Sequence, residues 1–405
     1  MRYVPSTTLR SMVVYGASGL AFAGANLLLA RAMSTEHYAL LTLLVALTTL
    51  GYHLAPAGLD AVVTRGRVDV GPAMLRRVAV ATTMIGTGVC GVALSAYGLS
   101  TGTAVLLLIA TIAGGLMLVA AARFQSEQRF TLSLALLNSP SLVLMLAAVA
   151  TLAAESRTAT LPFAILTLGL VIAAALGWLL VLRERRLGTP SVAAIPWGET
   201  FALAGVAAAG MLLIQLERLV IPHVLPLADL ALFGVLGAIA GSLFRLLQMA
   251  VGFSLLPRLR KAATVFERRQ LIAHELRFAI VIAIAGAAAI LVLTPLVERW
   301  LLAGKYHLPL GLVLAALFSG IAKIAHAFSK AAATALATPR ELAFVNAAGW
   351  VSVALAVGAA VVAARWWGLA GVIYGVGTGW LAWAVLSFVL VTRHLRVPAS
   401  VPAET

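Results

Sequence analysis

Twelve apolar runs of about 20 residues, separated by gaps mostly too short for a soluble domain, constrain this chain more than any other feature. A run of that length crosses the ~30 Å hydrocarbon core of a bilayer as a helix, where only helices or closed barrels satisfy every backbone N–H and C=O. The runs cover roughly 9–31, 38–64, 75–98, 101–122, 131–153, 161–182, 200–221, 229–256, 277–297, 308–332, 341–364 and 367–392. The expected fold class is an all-α polytopic membrane protein with about twelve transmembrane helices. Composition agrees, since 62% of residues are hydrophobic and 11% charged, against about 25% charged in ordinary globular chains. The first run, Leu9 to Ala30, follows Arg2 and Arg10 as a signal peptide would. It is too long for an h-region and is expected to stay as the first helix.

The net charge of +15 would suggest nucleic acid in a soluble domain, but the 29 Lys and Arg fall mostly between the apolar runs. They read as topology signals, and no nucleic-acid partner is expected. With the N-terminus inside, inner segments hold 20 of them, outer segments hold five (Arg31, Arg157, Arg299, Lys305, Arg365), and four lie within spans. Both termini are therefore expected to be cytoplasmic. The single cysteine, Cys90, allows neither an intramolecular disulfide nor a cysteine metal cluster. There is no G-x-x-x-x-G-K-[ST], H-E-x-x-H or nucleophile elbow, so no catalytic residue, metal or cofactor is assigned.

Charges inside the spans are the candidate functional residues, because an ionised group at the bilayer centre costs roughly 2.5–3.5 kcal/mol unless it faces water, protein or ligand. Arg245 lies near the middle of its run, where snorkelling is hardest, and shares a helical face with Gln248. Arg218 lies four residues before Pro222, near the outer end, with Glu217 diverging from it by about 100°. Lys323, His326 and Lys330 stand at i, i+3 and i+7 and share one face. Asn26 and His53 are weaker polar intrusions, which helix bundles usually satisfy with a neighbour. Asp60 follows Gly58-Leu59 with Arg65 and Arg67 in local reach. The glycines 371, 375 and 379 recur every four residues with no strand before them, which predicts close helix packing rather than a nucleotide loop.

A shift of 192 positions lays Ala39-Leu40 on Ala231-Leu232, Leu44 on Leu236 and Ala46 on Ala238, and brings Asn26 onto Arg218 and His53 onto Arg245. Two repeats of six spans in the same orientation imply an axis along the membrane normal with a cavity between halves. The expected domains are a six-helix bundle at 1–182, a cytoplasmic linker at 183–199, a second bundle at 200–392 and a cytoplasmic tail at 393–405.

Two passages, 27–65 and 215–259, resemble helices 1–2 and 7–8 of bacterial polysaccharide flippases in the multidrug/oligosaccharidyl-lipid/polysaccharide exporter superfamily. The first has an arginine, a turn with an acid and an aromatic, and a closing Gly-Leu-Asp; the second has an acidic-Arg pair, a turn, an aromatic, small residues and a closing proline. The resemblance implies two six-helix bundles related by pseudo-twofold symmetry around a central cavity, in the bacterial inner membrane. It also implies alternating access that carries an undecaprenyl-diphosphate-linked oligosaccharide to the periplasmic leaflet, with membrane lipids and other polysaccharide-assembly proteins as partners. Arg218, Arg245, Lys323 and Arg31 would meet the diphosphate, alongside the cavity candidates His326, Gln248, Asn26 and His53. Glu217 and Asp60, like His326, would titrate or bind a coupling ion. Drug exporters of the superfamily are the runner-up, although their aspartate within helix 1 is replaced here by Asn26. A glycosyltransferase or polymerase would need carboxylates in a large outer loop, and the outer segments offer only Glu36, Glu155, Asp229 and Glu298. Gly58, Asp60, Arg65, Gly66 and Arg67 also resemble the loop between helices 2 and 3 of the major facilitator fold, at the wrong spacing.

Overall fold

In the computed structural model, residues 6–65, 68, 70–184, 195–241, 244, 255, 259, 262, 264–336 and 338–396 are described, and among them there is no strand. The helices are α1 (Ser6–Ala32), α2 (Thr35–Leu54), α3 (Leu59–Thr64), α4 (Pro72–Tyr97), α5 (Thr101–Ser126), α6 (Phe130–Ala153), α7 (Thr160–Arg183), α8 (Trp197–Val224), α9 (Leu227–Leu236), α10 (Val265–Leu296), α11 (Leu310–Leu336) and α12 (Pro339–Arg396). Nine helices among the described residues are long and apolar enough to cross a membrane, and the last of them is broken at Gly368 into two arms. The chain is an all-α polytopic membrane protein, as its hydropathy predicts. By proximity it forms two compact units, one of Met1–Ala238 with Trp300–Tyr306, the other of Ile239–Arg299 with His307–Thr405. Most of the expected linker, residues 185–194, lies outside the described residues.

Local chemistry sets the helix ends in the first unit. Ser34 caps α2 by accepting from the His37 N–H at 3.3 Å, with Glu36 in the positive first turn. Ser100 caps α5 in the same way. Pro72 starts α4, where its missing N–H costs nothing, and Gly98 ends it in the left-handed region. The expected single helix over 38–64 is corrected here, because the chain turns at Ala55–Gly58 before α3 begins. Pro56 has no N–H to continue the ladder, and Gly58 adopts φ 84° where a Cβ would stand 2.3 Å from the Thr200 carbonyl oxygen of α8.

Helix α5 is the buried hub of this unit, packing on α2, α3, α4, α6 and α7 through small residues such as Ala110, Ala113, Gly114 and Gly115. In lipid, such close approach matters more than hydrophobicity, since acyl chains are as apolar as leucine. At one end, Leu59, Val62, Met74, Phe124, Trp178 and Ile195 form a shared core. The basic loops meet around it: Arg65 pairs with Glu199 at 2.6 Å and Arg129 forms a bidentate pair with Glu184. Loops assigned by charge to one side of the membrane therefore do gather at one end of this unit. Thr42 of α2 and Gly234 of α9, which stand 192 positions apart, touch. A Cβ on Gly234 would lie 2.7 Å from Thr42 Oγ1.

In the second unit, Thr264 and Glu267 form a reciprocal capping box at the start of α10. Gly368, at φ 53° and ψ −134°, folds α12 into two antiparallel arms. Cβ atoms on Gly371, Gly375 and Gly379 would lie 2.1, 2.4 and 2.4 Å from Ala363 O, Ala360 N and Ala356 Cβ. The four-residue glycine row is thus a helix-packing face. Trp383 covers Gly349 and donates to the Val345 carbonyl at 3.1 Å, and α11 packs against these arms.

Candidate functional site

In the first unit the candidate site lies where α2, α8 and α9 meet. Arg218 is half-buried on α8 and donates from Nη1 to Gln215 Oε1 at 2.7 Å, one turn back on the same face. Its guanidinium lies 5.6 Å from the centre of the Phe233 ring. The guanidinium lies against Gly237, where a Cβ would meet Arg218 Nη2 at an ordinary 3.5 Å. Gly237 also opens a π-helical turn, Gly237–Gly241, a local widening that recurs at functional sites. The hydroxyls of Tyr38 and Thr42 flank Gly234, and Glu217 is 1% exposed. An arginine, an amide and two hydroxyls on neighbouring helices make a polar cluster able to hold an anionic group.

The end of α1 carries a second set. Lys305 donates from Nζ to the carbonyls of Ala30, at 2.8 Å, and Met33, neutralising the negative end of the helix dipole. It lies 5.3 Å from the ring centre of Tyr306, which meets Tyr38 edge-on at 6.3 Å. Burial pulls the Lys305 ammonium below its ordinary lysine value. Arg31 beside it is exposed.

The remaining expected residues are dispersed. Asn26 donates to Phe22 O at 2.8 Å on its own helix, and His53 Nδ1 bonds to Thr49 O at 2.8 Å while stacking on Tyr52 at 4.5 Å. Asp60 is half-buried in the first turn of α3, and Arg65, expected to pair with it, reaches Glu199 instead. In the second unit, His326 is 4% exposed and sits 4.9 and 4.3 Å from the ring centres of Trp380 and Trp383. Lys330 Nζ lies 5.8 Å from the Trp383 ring, and Lys323 is half-buried on the same helix. Arg245 and Gln248 lie outside the described residues. Sequence reasoning missed Gln215, Tyr38, Thr42 and the Lys305–Tyr306 pair. Nothing local announced Lys305, 275 positions from Ala30.

No family model and no curated protein matches this sequence. Solved structures do. An inward-facing multidrug resistance MATE family transporter of the MOP superfamily aligns at TM-score 0.63 and 11% identity, over 95% of this chain and 94% of that one. The chain shares the fold of that structure. The lipid II flippase MurJ in an inward closed conformation aligns at TM-score 0.57 and 10% identity, over 95% of this chain and 87% of that one. A MATE in the bent conformation gives 0.55 and 14%, over 96% and 94%. The fold class read from hydropathy is thus shown.

Proposed function

We propose that this chain is a flippase carrying an anionic lipid-linked oligosaccharide, attached through undecaprenyl diphosphate, from the cytoplasmic to the periplasmic leaflet of a bacterial inner membrane. The carrying observation is the sign of charge within the spans: Arg218, Lys323 and Lys330, with Arg245 from the sequence, against Glu217. A diphosphate crossing a low-dielectric layer is stabilised by such cations, whereas a cationic drug is repelled. Alternating access of two six-helix repeats, 1–182 and 200–392, would expose Arg218, Arg245, Lys323 and Arg31 to the cargo in turn, with both termini cytoplasmic and Glu217 and Asp60 serving a coupling ion. Deletion of the gene is expected to accumulate polyprenyl-linked saccharide and deplete surface polysaccharide. Arg245→Ala is expected to insert at normal abundance without restoring export. Normal surface polysaccharide with no accumulated intermediate would exclude this reading.

The MATE likeness favours a second reading, an ion-coupled multidrug exporter. That reading expects the deletion strain to become hypersensitive to cationic dyes while its lipid-linked saccharides stay unchanged.

A further inference from the structure

The turn of α12 reads Arg365-Trp366-Trp367-Gly368, and both tryptophans are open, 77% and 66% exposed. Indole rings gather where hydrocarbon meets headgroups, so this turn marks a membrane interface. Below it the two arms form an open cleft of about 380 Å³, within the ~300–1,000 Å³ range of ligand pockets. Ala359 and Ala363 are small and make its floor, while Val362, Trp366 and Tyr374 make its walls. The one hydroxyl of a serine or threonine on the lining, Thr378, is spent on the Gly375 carbonyl at 2.6 Å. Ala359 lies about 10 Å below Trp366 along the helix, roughly two thirds of the hydrocarbon depth of one leaflet. Arg365 is exposed at the turn and has no carboxylate partner among the described residues.

We propose that this cleft holds one acyl chain of an anionic phospholipid of the surrounding bilayer, with the lipid phosphate paired to Arg365. The apolar floor suits a hydrocarbon chain and offers no partner for a saccharide. The guanidinium of Arg365, next in sequence to the lining residue Trp366, matches phosphate in charge and fork geometry. The glycine contacts deeper in the hairpin hold the arms in place, so the cleft is built into the fold rather than opened by the lipid. The inference goes beyond the transport reading and stands whichever cargo is carried.

The test uses the full chain in phosphatidylcholine vesicles with increasing fractions of chain-brominated phosphatidylglycerol or chain-brominated phosphatidylcholine. The signal is the quenching lost in a Trp366→Phe, Trp367→Phe double variant. Half-quenching is expected at about five-fold less phosphatidylglycerol than phosphatidylcholine, the bias one basic residue gives toward anionic lipid. Arg365→Gln is expected to erase that difference, and Ala359→Leu, which fills the floor, to remove the early quenching phase for phosphatidylglycerol. Equal half-quenching by the two lipids in the unsubstituted protein overturns the proposal, as does a preference that survives Arg365→Gln. Displacement of brominated phosphatidylglycerol by equimolar polyprenyl phosphate would give the cleft to the cargo instead. Absent quenching by both lipids, with a dimer in solution, would give it to a second copy of the chain. If Ala359→Leu does not fold, Arg365→Gln, at an exposed turn, decides the matter alone.

Discussion

At position 58 two separate demands exclude a side chain: a left-handed φ of 84° and a Cβ position 2.3 Å from a backbone oxygen of α8. Gly58→Ala is expected to cost about 2 kcal/mol or more, read as a lowered melting temperature by intrinsic fluorescence in detergent. Gly88→Ala, in α4 with nothing within 4 Å of the new Cβ, is expected to leave it unchanged or slightly raised. The Gly-Leu-Asp after α2 was visible in the sequence, but the turn was not, because the oxygen that forbids a side chain is at Thr200. Polar residues divide in the same way. Asn26 and His53 find carbonyls four residues back on their own helices, a solution the helical repeat allows anywhere. The Phe233 face that meets Arg218 comes from another helix and could not be read locally.

Two features of α12 can be tested as properties of the element. Its arms touch backbone to side chain along the glycine row, so Gly375→Leu is expected to prevent the hairpin from closing and to abolish recovery of folded protein by size-exclusion chromatography. Gly358→Ala, on the same helix with open space around it, is expected to elute as the unsubstituted protein does. The hairpin ends are clipped as well. Glu341 accepts from the Thr338 N–H at 2.7 Å and from its hydroxyl at 2.8 Å, and meets His394 Nε2 at 3.0 Å. These bonds, first of all the backbone N–H, hold the Glu341 carboxyl below its ordinary 4.5. A lowered folded-state pKa means the unfolded chain takes up its proton first as pH falls. The stabilisation is therefore complete above about pH 4.5 and disappears as pH drops through the lowered value. Between pH 6 and 3 the melting temperature is expected to fall more steeply in the unsubstituted protein than in Glu341→Gln. The glycine row was legible because spacing alone implies one face; the clip was not, since Glu341 and His394 stand 53 positions apart.

Across the whole molecule, sidedness is the property that charge counting specifies most directly. Cys90 is the only cysteine, so a Cys90→Ala background can carry single reporters. Gln128 and Glu155 lie at opposite ends of α6, the first beside the Arg129–Glu184 pair. Glu155→Cys is expected to react with a membrane-impermeant maleimide in intact cells, and Gln128→Cys only after permeabilisation; the reverse would invert the proposed topology. The membrane class, most of the helix limits among the described residues and the glycine packing face were determined by the sequence alone. They follow from apolar length, from local caps and from periodicity, which need no knowledge of what each helix touches. The tertiary structure alone decided that α2 stops at a turn, that Thr42 meets Gly234, that Lys305 closes α1 and that His326 packs on Trp380 and Trp383. Each of these joins residues far apart in the chain, and in a bilayer helix partners are chosen by close packing and hydrogen bonding rather than by hydrophobicity, so composition carries no trace of them.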